Sequence, residues 1–266
     1  MLKTNENVVE IDEYGYLEKY ELENVLVNSL SMFFSDAIQL NKNISNSFSE
    51  FEAQRSDGIA TFFLGTLERM YKDYQSVLIL LCRGLQSQAR SIMRNMLEKT
   101  IILKAVNDNH ENLESWLKTQ NRERNNTIRI IKGGYTHFTE EEIREMALEE
   151  TEDTEYVSYK KWAERAGMIF DYAVIYHLFC SDTHHTMSAM NRDAFAEDNK
   201  LAGFTIAPDF DDLDYIITLA MHYMLIAVEI VERYLGLEIC WIAPLQKKLD
   251  ELDTINMFKP LEEIGR

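Results

Sequence analysis

Proline is nearly missing from this chain: only Pro208, Pro244 and Pro260 occur, all late in its 266 residues. Proline is the residue that breaks helix interiors. Its scarcity, with abundant Leu, Met, Glu and Ala, leaves almost the whole chain free to be helical. Cysteine is equally scarce. Cys82, Cys180 and Cys240 are odd in number and form no CxxC pair, which excludes a disulfide framework and a zinc-finger spacing. Their apolar neighbours predict buried free thiols and fit a reducing, cytoplasmic setting. Glycine-rich phosphate loops are absent, since Gly133-Gly134 stands outside any GxxxxGK pattern, and GxSxG and HExxH are absent too. The run DFDDLD at 209–214 lacks the glycine and distal glutamate of a calcium loop. It reads as acidic charge at a helix start. The opening MLKTNENVVEIDE has no apolar signal core. Tyr215–Val231 is apolar but contains His222 and Glu229, and it falls short of the roughly 20 residues a bilayer requires. A buried core helix is expected there, and no membrane partner. Positive charge is also in deficit. A net charge of −18 argues against general DNA or RNA coating and against anionic membrane surfaces.

What is present is helical spacing. Leu22, Val25, Leu26, Leu30, Phe33, Phe34 and Ile38 recur at helix intervals, predicting a helix from Leu17 to about Phe51. Asp57 can cap the next, which ends in an all-apolar stretch from Val77 to Cys82 and stops at Gly84. A fresh start at Ser87 makes an antiparallel helix hairpin. Glu111–Lys132 is a further helix ending at Gly133-Gly134. Thr139 with Glu142 is a capping box opening a short acidic helix. Glu150–Glu155 is expected to be a mobile loop, Ser158–Ala166 a helix, Ile169 to about Met190 a helix, and Asn191–Pro208 irregular. Asp209 or Asp211 should cap a long helix to Leu235, closed by Gly236, and Pro244 should open a last helix to about Ile255. The expectation is therefore an all-α fold, an irregular bundle of about seven to nine helices with the hairpin at its centre. Residues 1–56 form an N-terminal extension, 57–192 a helical core and 193–266 C-terminal helices packing on it, together one globular unit.

Charge is unevenly spread. Thr139–Tyr156 holds nine acids against one base, Arg144, whereas Lys72–Lys132 holds eleven bases against six acids. The acid run reads as a solvated helix face and loop, and the basic stretch as a locally positive surface on an acidic protein.

Two stretches carry candidate chemistry. In Gln86–Val106, Arg90, Arg94 and Glu98 fall at four-residue intervals, so they line one stripe of a helix that Ile101 and Ala105 continue. Charged groups in line with apolar ones predict a partly enclosed polar strip. One reading is a structural Arg94–Glu98 ion pair, the other a site. In the second stretch, Tyr172, Tyr176, Cys180 and His184 fall at steps of four, with His177, Ser181 and His185 on the adjacent stripe. His177, Asp182 and His185 could chelate a metal by spacing. No carboxylate at a diagnostic interval completes such a set, so neither a metal nor a cofactor is expected.

The run LCRGLQSQARSIMRNMLEKTIIL, with its R-x-x-x-E core at Arg94 and Glu98, and the later Tyr176–Cys180–His184 series resemble the signature of bacterial domain-of-unknown-function family 5677. The resemblance covers about residues 60–192. Its helical pattern is similar to that of HEPN-like proteins, many of them dimeric, metal-independent ribonucleases of toxin–antitoxin and antiphage systems. Their Arg-x(4–6)-His hallmark does not occur here. An equivalent pair would have to assemble across helices, from Arg94 or Arg90 with His184 or His185.

Two functions follow. One is a helical binding or regulatory module whose polar site uses Arg90, Arg94, Glu98, Tyr176, Cys180, Ser181 and Asp182, acting on a protein partner, a second copy or a small anionic ligand, in a defence or toxin–antitoxin context. The other, implied by the resemblance, is a ribonuclease in which Arg94, held by Glu98, stabilises the phosphorane and His184 or His185 serves as general base and acid, with RNA as substrate.

Overall fold

The computed structural model describes residues 31–52, 56–133, 138–145, 149–183, 194–197, 200–204 and 212–251. The helices are α1 (Ser31–Ser47), α2 (Gly58–Cys82), α3 (Gln86–Asp108), α4 (Asn112–Lys132), α5 (Glu140–Glu145), α6 (Tyr159–Arg165), α7 (His177–Thr183), α8 (Leu213–Leu235) and α9 (Ile242–Asp250). A π-helical turn, Asp171–Tyr176, leads directly into α7. The expected all-α class holds. Among the described residues the one departure is a short antiparallel hairpin of β1 (Ala194–Glu197) and β2 (Lys200–Phe204), which lies within the stretch Asn191–Pro208 expected to be irregular. With only four and five residues, the strands are too short for alternation to stand out from background.

Residues up to Thr100 together with those from Ala173 onward form one compact unit, and Ile101–Tyr172 forms a second. In the first, α8 is the central element. It is long and apolar enough to cross a membrane, but 78% of its apolar window is buried inside the fold, against α2, α1 and α9. Fifteen of its residues are buried, and each large apolar side chain among them contributes on the order of 1.5–3 kcal/mol of gross burial energy. Asp57 caps α2 as its sequence position implies: Oδ1 accepts from the backbone N–H of Ile59 and Ala60, and both carboxylate oxygens lie within hydrogen-bond distance of Tyr234 Oη on α8. One carboxylate thus fixes the start of one core helix against the end of another. Gly84, at φ 69°, turns the chain from α2 into α3, a left-handed conformation that costs a glycine least. Lys99 then reaches back 2.7 Å to Asp73. Asp73 lies 11 residues before Gly84 and Lys99 15 after it, so the contact joins the two arms of the helix pair well away from the turn.

Several local expectations need correction. Ile38 and Ile79 are 44% and 63% exposed, although both lie in apolar stretches. α1 buries Phe34, Ala37, Leu40 and Ile44 instead, and in α2 Val77, Leu78 and Leu81 already fill the inner face. The cysteines form no disulfide, as expected, but they are not buried: Cys82 and Cys180 are half-exposed and Cys240 is exposed. The residue flanking α8 is Asp212, in a left-handed conformation at φ 63° with no side-chain cap; Asp209 and Asp211 lie outside the described residues.

In the second unit, α4 and the chain that follows it are laced together. Asn125 is 3% exposed. Its amide accepts from Thr151 N at 3.1 Å and donates to Thr151 O at 2.6 Å, as a strand neighbour would. Asn121 donates to Asp153 O, and Glu155 N donates to Lys118 O. Glu150–Glu155 is a loop, as expected, and it is hydrogen-bonded to α4. Backbone pairing to α4 side chains holds it down, and Val157 is buried at its end. The capping box is present, with Thr139 and Glu142 bonded reciprocally.

Candidate functional site

The stripe on α3 is realised, and it is longer than the charges alone indicated. Gln86, Arg90, Arg94 and Glu98 stand at successive four-residue steps along about 18 Å of helix. Gln86 is 3% exposed and Arg90 6%. Ile101 and Ala105 continue the helix in fully buried positions.

Arg94 is the centre of the strip. Its Nη2 lies 3.0 Å from Glu98 Oε1 and donates to Tyr176 Oη at 2.9 Å. Its guanidinium carbon sits 5.0 Å from the Tyr176 ring centroid. The Arg94 and Glu98 side chains are only 20% and 15% exposed. Burial alone would weaken the Arg94 charge, but the Tyr176 hydrogen bond and the Glu98 carboxylate outweigh it, so its pKa stands above the ordinary value. Burial also pushes Tyr176 up to about 12, with Glu98 adding to the rise and Arg94 opposing it. At neutral pH Arg94 is thus a guanidinium and Tyr176 a neutral phenol. Two atoms in it are buried without a hydrogen-bond partner: Arg94 Nε, a donor, and Glu98 Oε1, an acceptor whose approach to Arg94 is close but misaligned.

Tyr176 reaches Arg94 from the end of the π turn. A π segment bonds i to i+5 and winds wider than an α-helix. The four-residue stripe expected through Tyr172 and Tyr176 is therefore broken at this point. Tyr172 is half-exposed, whereas Tyr176 is buried. Cys180 stands four residues further along α7, near enough to interact with Arg94. His177 is exposed and packs edge-on against the Tyr176 ring. His184 and His185 lie outside the described residues, and of Ser181 and Asp182 only the backbone is described. The structure thus brings together Arg94, Glu98, Tyr176 and Cys180 from the expected set. Among the described residues no group of three His, Cys, Asp or Glu is placed to hold a metal ion.

Arg90 has a carboxylate of its own. Its Nη2 lies 3.3 Å from Asp212 Oδ2, the left-handed residue before α8. Sequence reasoning missed this partner, which is 122 positions away and has no local signal linking it to α3. Gln86 was also missed, and here the signal existed: it extends the Arg90–Arg94–Glu98 series by one step toward the N-terminus. Its Nε2 is buried without an acceptor.

A family model described as "Family of unknown function (DUF5677)" matches residues 60–201. No curated protein and no solved structure matches the chain. The matched span contains Gln86, Arg90, Arg94, Glu98, Tyr176 and Cys180, and it leaves out Asp212.

Proposed function

The chain belongs to the family of unknown function DUF5677, and from that premise we propose that it is a helical binding or regulatory module whose polar site is the α3 stripe facing Tyr176. The observation that carries this reading is the state of Arg94. Its Nη2 donates to Tyr176 and lies 3.0 Å from Glu98, which together fix its orientation. Here a single buried N–H, Nε, remains to be satisfied, and Gln86 contributes a second further along the strip. Each unpaired buried donor costs about 1–3 kcal/mol, and an acceptor-rich ligand recovers that cost. The ligand class is a small anion bearing oxygen acceptors. Action in a reducing cytoplasm, in company with a protein partner or a second copy, belongs to the same proposal.

The test uses the full chain in EDTA with three probes: inorganic phosphate, adenosine 5′-monophosphate and a 20-nucleotide polyuridylate. Binding at a hundredfold excess over Kd stabilises by about 2.7 kcal/mol, a rise in Tm of several degrees. Arg94→Ala and Gln86→Leu should each remove or reduce that rise, with the RNA recovered intact. If no probe shifts the wild-type Tm, the small-anion reading is wrong. RNA cut in EDTA by the wild type, and left intact by Arg94→Ala and His184→Ala, would replace it with the ribonuclease.

A further inference from the structure

Between the C-terminal end of α8 and α9 lies a groove of about 470 Å³, within the roughly 300–1,000 Å³ range of small-molecule sites. It lies beyond residue 201, where the family match ends, and it shares no residue with the Arg94 strip. Part of its lining is apolar: Ile239 and Ile242 are buried, and Ala243 stands exposed beside them. Charge of both signs completes it. Glu229 and Arg233 come from α8, one turn apart, and Lys247 comes from α9.

Two other carboxylates in the lining are already engaged. Glu232 Oε1 accepts from the backbone N–H of Ile239 at 2.6 Å, and Asp250 Oδ1 accepts from Gln246 Nε2 at 2.9 Å. Glu229, Arg233 and Lys247 differ from these. Among the described residues none of their side chains makes a hydrogen bond or an ion pair. Glu229 is also half-buried. Burial raises its pKa, Glu232 and Asp250 add to the rise, and Arg233, beyond ion-pair distance, opposes it. A carboxylate held in this way disfavours its own charged form, and a cationic group arriving in the groove relieves that cost.

The groove thus offers one unpaired anion, two unpaired cations and an apolar surface. A metal cation would leave Arg233 and Lys247 unmatched, and among the described residues no group of three His, Cys, Asp or Glu is placed to hold one. A simple anion would meet the Glu229 carboxylate. Residues four apart on a helix stand about 5–6 Å from each other at Cβ, so the occupant carries its two charges close together. An α-amino acid bears both on one carbon. We propose that this groove binds a free α-amino acid with an apolar side chain. Glu229 accepts hydrogen bonds from its ammonium group, Arg233 and Lys247 donate to its carboxylate, and its side chain lies against Ile239, Ile242 and Ala243. The proposal does not depend on the Arg94 site.

The test is isothermal titration calorimetry of the full chain at pH 7 with L-leucine, L-methionine and L-phenylalanine. At least one of them should bind with a sub-millimolar Kd. For that amino acid Glu229→Gln should raise Kd at least tenfold, and so should Arg233→Ala with Lys247→Ala. Glu229→Gln removes an unpaired half-buried charge, so its loss of binding should come with an undiminished Tm, and circular dichroism checks the fold of the double variant. The matching amino alcohol, which lacks the carboxylate, and the matching deaminated acid, which lacks the ammonium, should each bind at least tenfold more weakly than the amino acid. Heat from none of the three amino acids would overturn the proposal. So would a Kd that Glu229→Gln leaves unchanged, an amino alcohol that binds as tightly as its parent, or glycine that binds as tightly as the larger amino acids.

Discussion

Replacing Arg94 by alanine leaves Glu98 as a carboxylate only 15% exposed, with its cation gone, and leaves Tyr176 without its closest donor. At 3.0 Å and an effective dielectric of about 20, the gross attraction of the pair is roughly 5–6 kcal/mol. Desolvation of both groups offsets most of that in the intact protein. Removing one partner keeps the cost and loses the gain, about 3–5 kcal/mol for a fully buried pair. Water still reaches a fifth of the Arg94 side chain, so we expect about 2–3 kcal/mol. For a chain of this size each kcal/mol moves Tm by about 2–4 °C, and Arg94→Ala should therefore melt roughly 5–10 °C below wild type by calorimetry. The double variant Arg94→Met, Glu98→Met removes both charges and should recover most of the loss, because an apolar pair pays no desolvation. An unchanged Tm for Arg94→Ala would refute the enclosed-pair reasoning. So would a double variant as unstable as the single one.

Three further outcomes follow. Tyr176 has its pKa raised from 10.0 to about 12 by burial. Its contribution is therefore complete below pH 10 and is lost as pH climbs through about 12, with a slope of at most about 1.4 kcal/mol per pH unit; Tyr176→Phe should flatten that part of an alkaline unfolding profile, and an unaltered profile would show that the phenol titrates freely. Glu229 is raised by burial, with Glu232 and Asp250 adding to the shift and Arg233 opposing it. A carboxylate raised in the fold costs stability once pH rises through that value, so Glu229→Gln should melt higher than wild type at pH 7 and equal to it at pH 4; a lower Tm at pH 7 would contradict this. Asp57→Ala loses the α2 cap and the Tyr234 contact together, about 2 kcal/mol in all, whereas Asp57→Asn should keep most of the cap; equal losses in urea titrations would mean that the carboxylate charge matters more than its geometry.

Helix content, the hairpin turn at Gly84, the Asp57 cap, the Thr139–Glu142 box and the Arg94–Glu98 pair were all legible in the chain, because each depends on residues within one or two helical turns. Over that distance backbone geometry is nearly fixed, and spacing converts directly into neighbourhood. What the tertiary structure decided lies at long sequence separation or depends on local winding: Asp212 on Arg90, Tyr176 swung onto Arg94 by a π turn, Thr151 clamped by Asn125. A side chain's periodicity states which way it faces on its own helix. Which group meets it there is set by how the helices pack, and an acidic segment that reads as solvated becomes ordered once buried amides satisfy its backbone.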